Sequence, residues 1–275
     1  LLREPHPALG GRAYGPALLD GLDRLGFGPG AEGGVVWEVG GGAGWLAARS
    51  LEARPHLTWW GLDASRAALE AQRRRAGSAR GWARADCRAL PLPDGVVGEG
   101  GLLLANEVVA DLPVSGGRNT GALDFLDEIA RVLGKGGAAA VIEFGSTDAV
   151  ATVQAVPMRG EGGVGDHLEW TIRFADLEEL ALRRGLRCRT LPLFELLQVD
   201  GDVRSASYLD LRRLRSLRSD APIVAWTEDE LRRRHPILAR IFEFELPPIG
   251  WSRWPDPGAP VGAAEAFQAL LLRRD

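Results

Sequence analysis

The sequence predicts an α/β protein: a Rossmann-like, doubly wound, mostly parallel seven-stranded sheet with a helical insertion between the last two strands. Three observations carry this. Apolar runs of strand length alternate with segments of helical period. The first such run, Val35–Val39, breaks into a glycine turn, Gly40-Gly41-Gly42-Ala43-Gly44, after which Trp45-Leu46-Ala47-Ala48 opens a helix. The later runs end in Asp63, Asp86 and Asn106-Glu107, at the strand ends where sheets of this kind bind ligands.

Each element follows in order. Leucines at helical spacing predict a first helix over Pro16–Leu25, ended by Gly26, Gly28, Pro29 and Gly30; with Tyr14 it is either an N-terminal packing element or a lid. The opening strand is apolar on both faces, as a strand covered by helices on both sides must be. Further strands are expected at Leu57–Leu62, Gly81–Ala85, Gly101–Ala105 and Ala138–Phe144. The helices between them are expected at Ser65–Ala76 and Ala122–Leu133, the latter closed by Gly134-Lys135-Gly136-Gly137. A glycine-rich loop, Arg159–Gly165, leads to Asp166-His167-Leu168-Glu169-Trp170 and a helix over Ala175–Arg184 with Gly185 just beyond its end. Leu186–Leu197 is expected as the sixth strand and Ala266–Leu272 as the seventh.

Four segments result: an N-terminal helical segment, 1–34; a ligand-binding Rossmann-like domain, 35–198; an insertion or cap, 199–262; and the last strand, 263–275. The insertion is expected to hold an arginine-rich helix, Tyr208–Arg218, and a second helix opened by Thr227-Glu228-Asp229-Glu230. A loop with Trp251, Trp254 and five prolines between Pro247 and Pro260 completes it. Long structured connections are usually functional, so the insertion is expected to cover the substrate side.

The bulk properties narrow the class. A chain of 275 residues buries a full core, and its net charge of −4 supplies no basic face for nucleic acid or acidic membranes. Lys135 is the only lysine, which reads as genomic composition. Cys87 and Cys188 are too few for a disulfide framework and form no zinc-type cluster, so no metal is expected. No run approaches membrane-spanning length and the start lacks the apolar core of a signal peptide, so a cytoplasmic, soluble protein is expected.

The chemistry concentrates around the glycine turn. Glu38 precedes Gly40, Gly42 and Gly44 in an acid-x-Gly-x-Gly-x-Gly spacing, and Asp63 lies 19 residues beyond the last glycine, where a carboxylate can accept from ribose hydroxyls. Gly42-x-Gly44-x-x-Ala47 also fits a dinucleotide fingerprint, which leaves a nicotinamide dehydrogenase open. Glu38 in front of the glycines, Asp86-Cys87 after the third strand and Asn106-Glu107 with Pro113 after the fourth favour S-adenosylmethionine instead.

With these residues the chain, over about Gly33–Phe144, resembles the class I S-adenosylmethionine-dependent methyltransferases. The resemblance implies that Glu38, Gly40, Gly42 and Gly44 hold the methionine part and Asp63, with the adjoining Ala64, the ribose. It places Asp86 and Cys87 at the adenine and Asn106 beside the cofactor. A narrower resemblance runs through Asn106-Glu107-Val108-Val109-Ala110-Asp111-Leu112-Pro113, which is similar to the Asn-Glu-x-x-Asp-Ala-Leu-Pro signature of MidA-like protein arginine methyltransferases. Here Asp111 occupies the family's alanine position and Gly41 replaces its first-loop proline. Gln72 and the Gly165–Trp170 segment are weaker echoes.

The expected activity is therefore methyl transfer from S-adenosylmethionine to a nitrogen or oxygen acceptor. The acceptor is either a guanidinium or amine of a protein or peptide, or a small metabolite under the cap. Glu107 is the first candidate for orienting or deprotonating it, with Asp111 and His167 as further candidates. A catalytically silent S-adenosylmethionine-binding assembly factor is the reading from another class.

Overall fold

A computed structural model describes residues 5, 9, 11–30, 33–158, 167–198, 204–205, 252–253 and 267–275. The expected insertion helices, the glycine-rich loop Arg159–Gly165 with Asp166, and the loop with Trp251 and Trp254 lie outside the described residues.

Helix α1 (Tyr14–Arg24) precedes a repeating pattern of β1 (Val35–Val39), α2 (Trp45–Ala53), β2 (Thr58–Asp63), α3 (Arg66–Arg75), β3 (Gly81–Arg84), β4 (Gly101–Asn106), α4 (Thr120–Val132) and β5 (Ala138–Ser146). Pro16 falls inside the first turn of α1, where no backbone N–H is needed, so the helix starts two residues before the expected Pro16. Ser65 caps α3 by accepting from the Ala68 amide at 3.3 Å.

Beyond β5 come β6 (Ala155–Met158), β7 (His167–Trp170), β8 (Ile172–Arg173), α5 (Phe174–Arg183), β9 (Arg187–Pro192), α6 (Leu193–Leu197), the two-residue β10 (Arg204–Ser205) and β11 (Ser252–Arg253), and β12 (Phe267–Arg273). Two of these differ from expectation. Leu186–Leu197 is not one strand: Pro192 cannot donate to a ladder, and Leu193, Leu196 and Leu197 recur at helical spacing in α6. His167–Trp170, for which the sequence predicts no element, is a strand that pairs antiparallel with Ala155–Met158.

The central sheet runs β3-β2-β1-β4-β5-β12-β9, with the short β8 beside β5 as an eighth strand. All pairs from β3 to β5 are parallel, whereas β12 is antiparallel to both β5 and β9. Strand order reverses between β1 and β4, which opens a crevice beyond their carboxyl ends.

Period-two alternation fills both faces of the sheet. Leu102 and Leu104 of β4, Ala140 and Ile142 of β5 and Leu271 of β12 join α1, α2 and Trp59 on one face. Leu103, Ala105, Val141, Leu270 and Leu272 join α4 and α5 on the other. Each such leucine, taken wholly out of water, contributes about 1.5–3 kcal/mol. Among the described residues no helix is long and apolar enough to cross a membrane.

Candidate active site

The glycine turn after β1 is built from backbone conformations that side chains resist. Gly40, Gly42 and Gly44 have φ of 69°, 50° and 78°. A Cβ at Gly40 would collide with Val108, and one at Gly44 would stand 2.8 Å from the Gln72 Cα. At Gly42 a Cβ would meet nothing within 4 Å, so here the backbone faces open space. Gly44 is the N-cap of α2, so the open face lies next to a helix N-terminus and its partial positive charge.

Carboxylates brace this turn from below. Glu38 is 2% exposed and accepts from the Trp59 indole N–H at 2.9 Å. Burial pushes its carboxyl up to about 7; the Trp59 bond acts against that shift and the nearby Asp63 adds to it. Asp63 accepts from the Gly42 amide at 3.2 Å, from Gln72 Nε2 at 3.1 Å and from the Ser65 amide at 2.8 Å. Gln72 also donates to the Gly42 carbonyl at 3.3 Å, so one buried amide ties the acid at the end of β2 to the turn after β1. Ala64 is exposed beside Asp63, and its carbonyl accepts from Arg84.

After β3, Asp86 accepts from the Arg88 amide at 2.9 Å and from its guanidinium at 3.1 and 2.7 Å. Those Arg88 bonds hold its carboxyl below the usual range. Cys87 is buried, and burial pushes its thiol up to about 11. Arg131 of α4 pins the following loop through the Leu90 and Leu92 carbonyls and Asp94, while Glu128 accepts from the Leu90 amide.

Across the crevice lies a second group. Asn106 ends β4; Glu107 follows with φ 56°, a strained value for a residue with a side chain, and its amide donates to the Ile142 carbonyl at 2.9 Å. Glu143 of β5 is 1% exposed and accepts from the Ala110 and Phe144 amides at 3.2 and 3.0 Å. Burial pushes its carboxyl up to about 8, with Glu107 and Glu169 adding to the shift. Asp111 and Glu169 flank His167, whose Nε2 is 3.6 Å from the first and 3.2 Å from the second. One donor atom from each of these three lies within 4.8 Å of the others. Burial raises the carboxyls of Glu107, Asp111 and Glu169 as well.

Residues 37–141 match the sequence family described as a methyltransferase domain. The matched stretch runs from β1 into β5 and holds the glycine turn and the ends of β2, β3 and β4. The fold of the chain is similar to that of phosphoethanolamine N-methyltransferase 2 from Haemonchus contortus, solved with S-adenosyl-L-methionine, at 14% identity and a TM-score of 0.50, over 95% of this chain and 53% of that one. A TehB-like SAM-dependent methyltransferase from Corynebacterium glutamicum shares 16% identity, with a TM-score of 0.43, over 98% of this chain and 92% of that one. No curated protein matches the chain in sequence.

The glycine turn suits a cofactor such as S-adenosylmethionine on the structure's own terms: the open face at Gly42 and the adjoining helix N-terminus form a cradle that any side chain at position 42 would begin to fill. Glu38, Gly40, Gly42, Gly44, Asp63 and Asn106 converge on the one crevice, and Glu107, Asp111 and His167 gather at its far side. Asp86 instead commits its carboxylate to Arg88. Tyr14, Trp59 and Glu143 join the site without a motif to mark them. Glu143 does leave a signal in the sequence, as the one carboxylate inside the apolar run Ala138–Phe144.

Proposed function

We propose that this methyltransferase acts on a guanidinium or amine nitrogen of a protein or peptide, admitted beside Glu107. One observation carries the reading. Glu107, Asp111, Glu143 and Glu169 cluster at the ends of β4, β5 and the β6–β7 hairpin, where His167 is the basic side chain set between Asp111 and Glu169. Crowded, partly desolvated carboxylates raise one another's pKa, and an incoming cation relieves that repulsion. A planar guanidinium adds paired hydrogen bonds to the charge.

S-adenosylmethionine supplies an electrophilic methyl group on its sulfonium. On this reading the amides of Gly40, Gly42 and Gly44 with Glu38 hold the methionine end. Asp63, beside Ala64, keeps a lone pair for the ribose, and Asp86 with Cys87 border the adenine. Asn106 lies between cofactor and acceptor. Glu107 aligns the acceptor nitrogen and takes its proton, and Glu143 is a buried reserve of negative charge behind it. Asp111, His167 and Glu169 bind the rest of the acceptor.

A second reading, a small metabolite enclosed under a cap, is favoured by topology. Pro192 and Phe267, between which residues 199–266 run, both sit at the carboxyl edge of the sheet, beside Glu143 and Phe144.

Incubation with S-adenosyl-[methyl-3H]methionine and three acceptor sets separates the readings. Label is expected in arginine-bearing peptides. Label confined to small amines or hydroxy acids establishes the second reading, and S-adenosylhomocysteine binding without labelling of any acceptor establishes a silent assembly factor. Calorimetric binding of NAD in place of S-adenosylhomocysteine would overturn all three.

A further inference from the structure

Helix α1 lies outside the matched residues 37–141, yet its first turn is wired to the end of β4. The Tyr14 hydroxyl donates to Asn106 Oδ1 at 2.6 Å, and Asn106 Nδ2 donates to Glu107 Oε1 at 3.1 Å. We propose that Tyr14 is a positioning residue for methyl transfer: it locks the Asn106 amide so that its donor end faces Glu107 and holds that carboxylate in one orientation. The proposal rests on the reading of Glu107 as the group that handles the acceptor's proton.

The direction of the chain follows from its members. An ionised carboxylate only accepts, so Glu107 must meet the NH2 end of the amide, and the carbonyl end is left for Tyr14. A phenol can donate only while it keeps its proton. Tyr14 is buried, and burial together with Glu107 and Glu143 holds its pKa well above the ordinary value, so it stays a donor. Without it the amide is free to turn its oxygen toward Glu107, where two acceptors repel. The backbone at Glu107 is already held in a strained conformation, so the side chain starts from a fixed point.

The same chain sets where Glu107 titrates. Burial and Glu169 from β7 push it toward its protonated form, Glu107 in turn pushes Glu143 of β5 the same way, and Tyr14 from α1 is neutral. The Asn106 donor acts against burial and against Glu169.

The test compares Tyr14→Phe, Asn106→Ala, the double variant and Glu107→Gln. Carbon-13 carboxyl NMR of glutamate-labelled protein follows Glu107, identified by the signal that Glu107→Gln removes. Tyr14→Phe and Asn106→Ala are each expected to raise the Glu107 midpoint by about one pH unit, and the double variant to add little, because both break one chain. In Tyr14→Phe, transfer to whichever acceptor takes label is expected to lose about tenfold in kcat with the cofactor KM held within about twofold, its acidic limb moving up with the Glu107 midpoint. An unmoved Glu107 titration in folded Tyr14→Phe overturns the proposal. If that variant melts, Asn106→Ala tests the link without touching α1. Wild-type turnover in Glu107→Gln instead removes the proton-handling reading, and the two failures are separate measurements.

Discussion

Trp59 donates its indole N–H to Glu38 Oε2 at 2.9 Å, inside the core and beneath the glycine turn. The two residues stand on neighbouring parallel strands, Trp59 in register with Val36 and Glu38 two residues further along the same face. A carboxyl with so little water around it and a single described donor is held near neutrality by its surroundings.

The first prediction is a pH-dependent stability of unusual direction. Glu38 at about 7 and Glu143 at about 8 are carboxyls raised above the ordinary glutamate value of 4.5. Between those values the folded state binds more protons than the unfolded chain, so stability falls as pH rises. The contribution is whole below about 4.5 and is lost as pH climbs through about 7 for Glu38 and about 8 for Glu143. Each is expected to contribute on the order of 3–5 kcal/mol. Melting temperatures between pH 5 and 9 check this, and Glu38→Gln and Glu143→Gln should each flatten part of the slope.

Trp59→Phe removes the one side-chain bond that favours ionised Glu38. The Glu38 midpoint is expected to move further up, carrying its share of the stability loss to higher pH, and truncation of the fully buried indole should cost about 1–3 kcal/mol. Cofactor binding supplies a linked measurement. If Glu38 meets the ammonium group it must ionise, so binding at pH 6–7 should release a proton. Calorimetry in buffers of different ionisation heat reads that proton, and zero release would remove Glu38 from the ammonium site.

Gly40→Ala and Gly42→Ala should part company. Both positions need a positive φ, which costs about 1–2 kcal/mol once a Cβ is present. At Gly40 the new methyl also strikes Val108, so both melting temperature and cofactor affinity should fall. At Gly42 it projects into open space, so the fold should keep most of its stability while S-adenosylhomocysteine binding weakens by about tenfold or more. Equal loss of affinity and stability at Gly42 would argue that the open face is not the cofactor's.

Arg131→Ala releases the loop after Asp86, because one guanidinium holds two of its carbonyls and Asp94. The site is partly exposed, so a modest loss of about 1 kcal/mol in stability is expected. Affinity for S-adenosylhomocysteine should fall more than stability does if this loop borders the adenine, and adenosine alone should show the same loss.

Much of the fold is legible because strands buried on both faces leave long apolar runs, and an uncharged run such as Gly101–Ala105, too short for a buried helix, suits little but a covered strand. The polar residues at their ends are legible for the same reason: Asp63 and Asn106 stand out against what precedes them. What escapes is whatever depends on which way a side chain turns or on distant parts of the chain. Tyr14 and Asn106 are 92 positions apart. Glu143 reads as an interruption of a strand until Ala110 is seen to donate to it. Asp86 reads as a free acceptor, although Arg88, two positions on, occupies it. Pro192 is a visible stop that the leucines after it disguise.

The antiparallel β12 has a consequence for how freely this molecule can change. Its first residues pair with the last of β5 and β9, as Phe267 with Phe144 and Gln268 with Pro192, so the chain that leaves the sheet after β9 returns to its immediate neighbour. Closing such an excursion is an entropic matter that grows only with the logarithm of its length, about 0.6 kcal/mol per doubling. A change in the length of the connection between β9 and β12 is therefore expected to cost the ladder itself little. The parallel strands that carry the cradle at Gly40–Gly44 lie on the far side of β5 from that connection.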